Sequence, residues 1–247
     1  MHLRILGCSG GYPTADSPSS GYLIEDGDTR IWLDAGNGTF SVLQRYADYT
    51  RIDALVLSHL HPDHCLDIYP LNVALRYGPV KARIAVYAPP RTQEILDRLM
   101  TGDPDDKLGA TFDFHEVDAG QTVEVGGVRL SFLRTDHPGH TLAVRADSAS
   151  GSLTYSADNG PGVDLAPFAC GTDLFLCEAT YQSALQGAPV HLTAQQAAEA
   201  AVRAGARQLI LTHLWPPFDS QVSLEEARAA AGDIPVRLAR PGERFET

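Results

Sequence analysis

The stretch "LVLSHLHPDHCLDI", residues 55–68, places His59, His61, Asp63 and His64 within six positions of a chain that has nine histidines in all. Neutral imidazole nitrogen and carboxylate oxygen are the donors that suit a divalent metal ion. The largely apolar run just before them, residues 53–57, reads as a buried strand. The polar residues then fall on the loop where that strand ends and a helix begins, a usual place for a rigid element to deliver ligands to a concave edge. The competing interpretation is chance clustering, with the imidazoles capping the helix that follows. Three other segments share the same grammar of a β-type run ending in His or Asp: "LSFLRTDHPGH" with His137, "LTYSADNGP" with Asp158, and "LILTHLWPP" with His213. One such residue is ordinary, whereas several at strand ends describe a site.

The elements that must position these residues are legible in outline. Strands are predicted at 2–6, 22–25, 30–33, 54–57, 83–87, 111–117, 122–125, 128–133, 142–146, 153–156, 174–177 and 208–211. Helices are predicted at 40–49, 66–76, 91–100, 193–204 and 224–231, the last two with Thr or Ser at the N-cap. "VEVGGVRLSF" reads as a strand–Gly-Gly–strand hairpin. The acidic stretch "TGDPDDKLG", residues 101–109, reads as a surface loop. Two halves, each of strands followed by helices, suit two sheets packed face to face with helices outside, within one domain spanning residues 1–247.

Composition narrows the partners. The chain has 247 residues, 44% of them apolar, and a net charge of −12. An acidic surface repels polyanions and so disfavours non-specific binding to nucleic acid or anionic membranes, although a local basic patch is compatible with it. Four cysteines without CxxC spacing are too sparse for a disulfide framework, so reduced thiols and a cytoplasmic location are expected. The first apolar run is too short for a signal peptide, and no stretch approaches the roughly 20 apolar residues of a membrane span.

The order HxHxDH, then a His, an Asp and a final His, each after a strand, resembles the metallo-β-lactamase superfamily. The resemblance runs from the glycine turn "GCSGGYP" through "LDAG" to "LTHL". Within the superfamily, "SADN", "LCEATY" and "HLTAQQAA" resemble the branch of ribonuclease Z and small cyclic phosphodiesterases. The chain is most similar to actinobacterial cyclic-nucleotide phosphodiesterases, on "DSP.SGYL", "LSHLH.DHCLD" and "FLCEA". The resemblance implies a four-layer αββα sandwich of two mixed β-sheets and a dinuclear centre of zinc or manganese, with iron as a third option. It implies that His59, His61 and His137 hold one metal, that Asp63, His64 and His213 hold the second, and that Asp158 bridges them. Two such cations can share a water, lower its pKa and clamp both oxygens of a phosphoryl displacement, with Asp63 also placed to orient the attacking oxygen. Asp34 in "LDAG" either fixes a ligand histidine through its other ring nitrogen or bonds the amides of the next turn. Spacing leaves His140 as a rival to His137, while the family pattern favours His137. His2 and His115 are assigned no function.

Cleaving a P–O ester expels an alkoxide, which a general acid assists. The ribonuclease Z branch uses a Glu–His pair, which implies Glu178 and His191 here. A carboxylate beside an imidazole keeps it protonated near neutrality, whereas a surface histidine at a helix N-terminus would be pushed the other way. β-Lactamases themselves lack this pair. "GCSGG" fits neither GxGxxG nor a P-loop and reads as a tight turn, with Ser9 or its amides near the substrate as an alternative. Trp215 and Phe218 either wall a base or pack their loop. The leading expectation is a phosphodiesterase for a small cyclic substrate, a 3′,5′-cyclic nucleotide such as cyclic AMP. Against it stand a ribonuclease Z-type endonuclease maturing transfer RNA 3′ ends, and a lactone or lactam hydrolase. No Gly/Pro-rich RNA-gripping arm is visible, and extended nucleic acid is disfavoured by charge. Members of the branch are often dimers, but no stripe in the sequence marks a homodimer interface.

Overall fold

A computed structural model describes residues 1–102, 106–184 and 189–247. Their strands form two sheets, each of seven strands among the described residues. In the first sheet β1 (His2–Gly7), β2 (Gly21–Asp26) and β3 (Thr29–Leu33) form an antiparallel meander. To its edge β4 (Ala54–Val56), β5 (Ile84–Ala88) and β6 (Phe112–Glu116) add in parallel. Parallel addition needs crossovers, and these carry α1 (Thr39–Leu43), α2 (Pro62–Cys65), α3 (Ile68–Tyr77) and α4 (Thr92–Asp97). The second sheet begins with the antiparallel run β7 (Thr122–Val125), β8 (Val128–Arg134), β9 (Leu142–Ser148) and β10 (Gly151–Tyr155). It continues in parallel with β11 (Leu174–Glu178), β12 (Leu209–Thr212) and β13 (Val236–Leu238), joined through α5 (Ala194–Ala204) and α6 (Ser220–Ala230). The last strand, β14 (Arg244–Glu246), returns to pair with β1.

The period of two along each strand explains the layers. Ile31 and Leu33 of β3, Val56 of β4, and Leu174 and Leu176 of β11 face the apolar space between the sheets. Their neighbours Trp32 and Leu55 pack instead under the helices of the first half. Phe175 and Cys177 pack under α5 and α6. Because both faces are covered, these strands are apolar throughout, and each fully buried Leu or Ile contributes about 1.5–3 kcal/mol. A stripe of alanines on α5, among them Ala197, Ala201 and Ala204, brings that helix close against the sheet. Its start is a capping box between Thr193 and Gln196, as the Thr at the N-cap predicts, and Gly205 closes it in the left-handed region at φ 64°. Helices, sheet, sheet and helices make up the αββα sandwich.

Several elements differ in extent from the sequence expectation. The helix predicted at 40–49 ends at Leu43, beyond which the Arg45 and Tyr46 amides bond only three residues back, to Val42 and Leu43, and Asp48 accepts the Thr50 amide to start a separate 3-10 turn at Tyr49–Arg51. The helix predicted from Leu224 begins at Ser220, with Asp219 rather than a serine as its cap. Strands β13 and β14 alternate buried and exposed residues but have only three residues each, too few for a period to be read from sequence. The Gly126–Gly127 hairpin is present between β7 and β8. Residues 103–105 of the acidic 101–109 stretch lie outside the described residues. All four cysteines are free thiols. Among the described residues no helix is long and apolar enough to cross a membrane.

Candidate metal centre

The polar residues singled out in the sequence leave the ends of β3, β4, β8, β10, β11 and β12 at one edge of the sandwich. Asp34 follows β3, His59 follows β4, His137 follows β8, Asp158 follows β10, Glu178 ends β11 and His213 follows β12. Two of these positions, Asp34 and His213, have positive φ without being glycine (56° and 51°), as does Ala157 just before Asp158 (50°). Such backbone is uphill for a residue with a Cβ and persists where surrounding structure holds it.

His61 is the N-cap residue of α2 and Pro62 follows at its first position, but the His61 side chain makes no capping bond. That removes the capping explanation of the histidine cluster. The α2 turn is instead held by backbone: the Ser20 amide donates to the Asp63 carbonyl at 3.2 Å and the Ala35 amide to the His64 carbonyl at 2.7 Å. Gly36 permits this approach, since a Cβ there would lie 2.1 Å from the Asp63 carbonyl oxygen. The glycine turn after β1 also serves the site. Gly11, at φ 74°, donates its amide to Asp63 Oδ2 at 2.8 Å. Ser9 is buried and donates to the Tyr12 carbonyl at 2.7 Å, which commits its proton within the turn.

Two donor groups face each other across Asp158. Nε2 of His59 and Nε2 of His137 each lie 3.5 Å from Asp158 Oδ2. Nδ1 of His61 lies 3.1 Å from both of those nitrogens. On the other side, Nε2 of His64 and of His213 lie 3.3 and 3.5 Å from Asp158 Oδ1. Asp63 Oδ2 lies 3.5 and 3.2 Å from the same two nitrogens. A first-row cation with bonds of about 2.0–2.1 Å and tetrahedral ligands needs donor separations of about 3.4 Å, which these approximate. Within each group the donor atoms fall inside 4.8 Å of one another, so each could hold a cation. His64 Nε2 and Asp158 Oδ1 are buried without a hydrogen-bond partner, as two atoms awaiting a cation would be. The residues fit a divalent pair.

Charge points the same way. Burial, then the neighbouring His64, holds His59 well below the usual histidine range, and burial with His137 lowers His61. Both rings are therefore neutral and free to donate a lone pair. Burial opposes charge on His64, but the Asp158 and Asp34 carboxylates outweigh it and raise His64 well above the usual range. Burial likewise raises Asp63 and Asp158, and the surrounding imidazoles overcome it and lower both. In the metal-free protein a protonated His64 answers part of the negative charge of Asp34, Asp63 and Asp158, and a cation that displaced its proton would take over that role.

Behind the donors lies a second set of contacts. Asp34 resolves both of its sequence readings at once: Oδ2 accepts from His64 Nδ1 at 2.7 Å, and Oδ1 accepts the Ser58 amide at 2.7 Å. Ser58 Oγ and the Tyr155 hydroxyl also donate to Oδ2, at 2.7 and 2.9 Å. His137 Nδ1 donates to the Val190 carbonyl at 2.9 Å. His140 stands outside the cluster, paired with Asp118 at 2.9 Å, so of the two rivals only His137 is brought to it.

Glu178 is fully buried and its Oε1 lies 3.1 Å from His191 Nδ1. Burial opposes charge on His191, but the charge and hydrogen bond of Glu178, with Asp158 behind, push it up to about 8. The ring stacks on His213 at 5.2 Å and tilts against His137 at 4.8 Å, which places it beside both donor groups. Sequence reading missed Thr180, whose hydroxyl donates to Glu178 Oε2 at 2.6 Å and lies 2.7 Å from His213 Nδ1. It also missed Ser58, whose Oγ lies 3.0 Å from His59 Nδ1. Both stand within two residues of a singled-out position, in "CEATY" and "LSHLH", and that adjacency was the available signal. Trp215 packs edge-on against Tyr12 at 5.6 Å, over Gly11, while Phe218 bonds back to the Trp215 carbonyl. A separate cavity of about 200 Å³ opens beside His59 and His61, walled by Leu60, Pro89, Pro90, Ile95 and Pro138 with His140 on its lining.

A two-sheet sandwich with paired His/Asp donor groups along one edge defines a metal-dependent hydrolase. The chain belongs to the metallo-β-lactamase superfamily: residues 29–214 match the beta-lactamase superfamily domain. It is 36% identical, over its whole length and 88% of the other, to an uncharacterised protein of Mycobacterium leprae. It is 30% identical to the probable metallo-hydrolase YhfI of Bacillus subtilis, with both chains fully covered. A crystal structure of YhfI superposes with a TM-score of 0.89 over all of this chain and 98% of that one, at 28% identity. Ribonuclease Z of Chlamydia abortus is 29% identical over 85% of each chain. The human short-form tRNase Z shares the fold, with a TM-score of 0.77 at 21% identity over 100% of this chain and 99% of that one.

Proposed function

We propose that the chain is a single hydrolase domain acting as a phosphodiesterase on a small cyclic phosphodiester, a 3′,5′-cyclic nucleotide such as cyclic AMP being the preferred substrate. His59, His61 and His137 would hold one divalent cation and Asp63, His64 and His213 the other, with Asp158 shared between them. Zinc and manganese both suit the mixed nitrogen and oxygen donors. When bound, the pair supplies Lewis acidity and an activated water for attack at phosphorus.

The chain's own contribution is the handling of charge and protons. The observation that carries the reading is the Glu178–His191 contact of 3.1 Å beside the donor groups. His191 Nδ1 is committed to Glu178, which leaves Nε2 as the nitrogen that gives its proton to the departing oxygen when the P–O bond breaks. An alkoxide from a ribose ring is a poor leaving group and needs that proton. A lactone expels an alkoxide too, but does so from a tetrahedral adduct whose own oxyanion drives expulsion, so the pair is needed more by a phosphodiester than by carbonyl substrates. Asp63, held by the Gly11 amide, would orient the attacking oxygen. The cavity beside His59 and His61 has apolar walls and room for one ring system, which suits a nucleobase better than a folded RNA. The net charge of −12 supports the same choice.

A second reading is endonucleolytic cleavage of precursor transfer RNA, favoured by the 29% identity to a protein named ribonuclease Z. One experiment separates the two. Metal-reconstituted protein is offered 3′,5′-cyclic nucleotides and precursor transfer RNA side by side. Conversion of a cyclic nucleotide to its monophosphate with the RNA left intact is the expected result. RNA cleavage with no cyclic nucleotide turnover reverses the ranking.

A further inference from the structure

Two hydroxyl groups join the donor clusters to buried carboxylates, in the same chemical order. His59 turns Nε2 toward Asp158, while its Nδ1 lies 3.0 Å from Ser58 Oγ, which donates to Asp34 at 2.7 Å. His213 turns Nε2 toward Asp63 at 3.2 Å, while its Nδ1 lies 2.7 Å from Thr180 Oγ1, which donates to Glu178 Oε2 at 2.6 Å. A hydroxyl has one proton. Given to the carboxylate, it leaves a lone pair that accepts the ring N–H, so the opposite ring nitrogen is left bare for a cation. Among the described residues the competing acceptor for the Thr180 hydroxyl is the His213 carbonyl, at 3.1 Å, which is both farther and uncharged. Ser58, Asp34, Thr180 and Glu178 are all buried, so bulk water does not compete for these bonds.

Glu178 therefore serves two histidines: His191 directly through Oε1 and His213 through Thr180 on Oε2. We infer that Thr180 is a positioning residue that lends the charge of Glu178 to His213 and so sets the affinity of the cation held by Asp63, His64 and His213. Glu178 becomes the shared anion of the proton donor and of that cation. Ser58 performs the same relay for His59 and the other cation, drawing on Asp34. This rests on the two-cation reading proposed above.

The test is zinc titration of the metal-free protein against a chromogenic chelator, which reads two affinities, with anomalous diffraction at limiting zinc to locate each. Thr180→Val should weaken the cation at His213 by about 10–100-fold and leave the other within about twofold. Thr180→Ser, which keeps the hydroxyl, should restore the parent value. Ser58→Ala should give the mirror pattern, weakening the cation at His59. Parent affinities at both sites in Thr180→Val, or a Thr180→Ser variant as weak as Thr180→Val, would overturn the relay. A parent protein that takes up fewer than two zinc ions overturns the two-cation reading and this inference with it. If Thr180→Val fails to fold, Thr180→Ala against Thr180→Ser gives the same contrast by the same titration.

Discussion

His64 Nδ1 lies 2.7 Å from Asp34 Oδ2, with both side chains fully excluded from solvent. The same carboxylate accepts the Ser58 amide, the Ser58 hydroxyl and the Tyr155 hydroxyl. Asp34 therefore ties β3, β4 and β10 together beneath the donor groups, in both halves of the sandwich. Removing it strands four donors in the interior. Asp34→Ala should lower the unfolding free energy of the metal-free protein by about 3 kcal/mol or more, read by denaturant titration. Asp34→Asn, which tolerates the left-handed backbone and keeps one acceptor, should stay folded and lose cation affinity instead.

The Glu178–His191 pair makes a kinetic prediction with a definite sign. As the proposed acid, His191 would work only in its protonated form, which is favoured below the value of about 8 to which Glu178 raises it against burial. Turnover of a substrate with a poor leaving group should therefore fall as pH rises through that region. Glu178→Gln should move the alkaline limb to lower pH. His191→Ala should slow cyclic AMP by about 10²–10⁴-fold and an activated aryl phosphodiester far less, since the latter expels a stable phenolate unaided. Equal slowing of both substrates would remove His191 from the role of acid.

The part of this site that sequence reading reaches is the part built from rare residue types at strand ends. His59, His61, Asp63 and His64 share one turn, and the single residues His137, Asp158 and His213 each end an apolar run, so local pattern suffices. What it misses are the hydroxyls. Thr180 and Ser58 belong to common types, and only their distances to His213 and His59 distinguish them from any other buried Thr or Ser. The choice between His137 and His140 likewise depended on which ring the β8–β9 loop turns inward, a tertiary fact. In the fold, elements with a clear period were found, whereas β13 and β14 are held by neighbours rather than by their own pattern.

The cavity beside His59 and His61 should set substrate affinity rather than rate. Ile95 on α4 forms one of its walls and is not part of either donor group. An aspartate there adds charge where a ring would sit and removes apolar contact worth about 1.4 kcal/mol, a factor of about ten. Ile95→Asp should raise KM for a cyclic nucleotide about tenfold with kcat nearly unchanged. A variant with an unaltered KM would place the base elsewhere, the Tyr12–Trp215 pair being the next surface to test.

Cation removal should register in stability as well as in activity. In the metal-free protein the carboxylates of Asp34, Asp63 and Asp158 converge on His64, and His64 Nε2 and Asp158 Oδ1, 3.3 Å apart, complete no hydrogen bond. A ligand that binds only the folded state stabilises it by about 2.7 kcal/mol when present at 100 times its Kd. Two sites filled at that ratio would together contribute about twice as much. Chelation should thus lower the melting temperature of the parent by several degrees, and zinc or manganese should restore it. Asp158→Asn keeps the shape of the side chain but replaces one of the two oxygens that face the donor groups, and should show a much smaller rise on adding metal. A melting temperature indifferent to chelator in the parent would mean that these donors hold no cation in the folded protein.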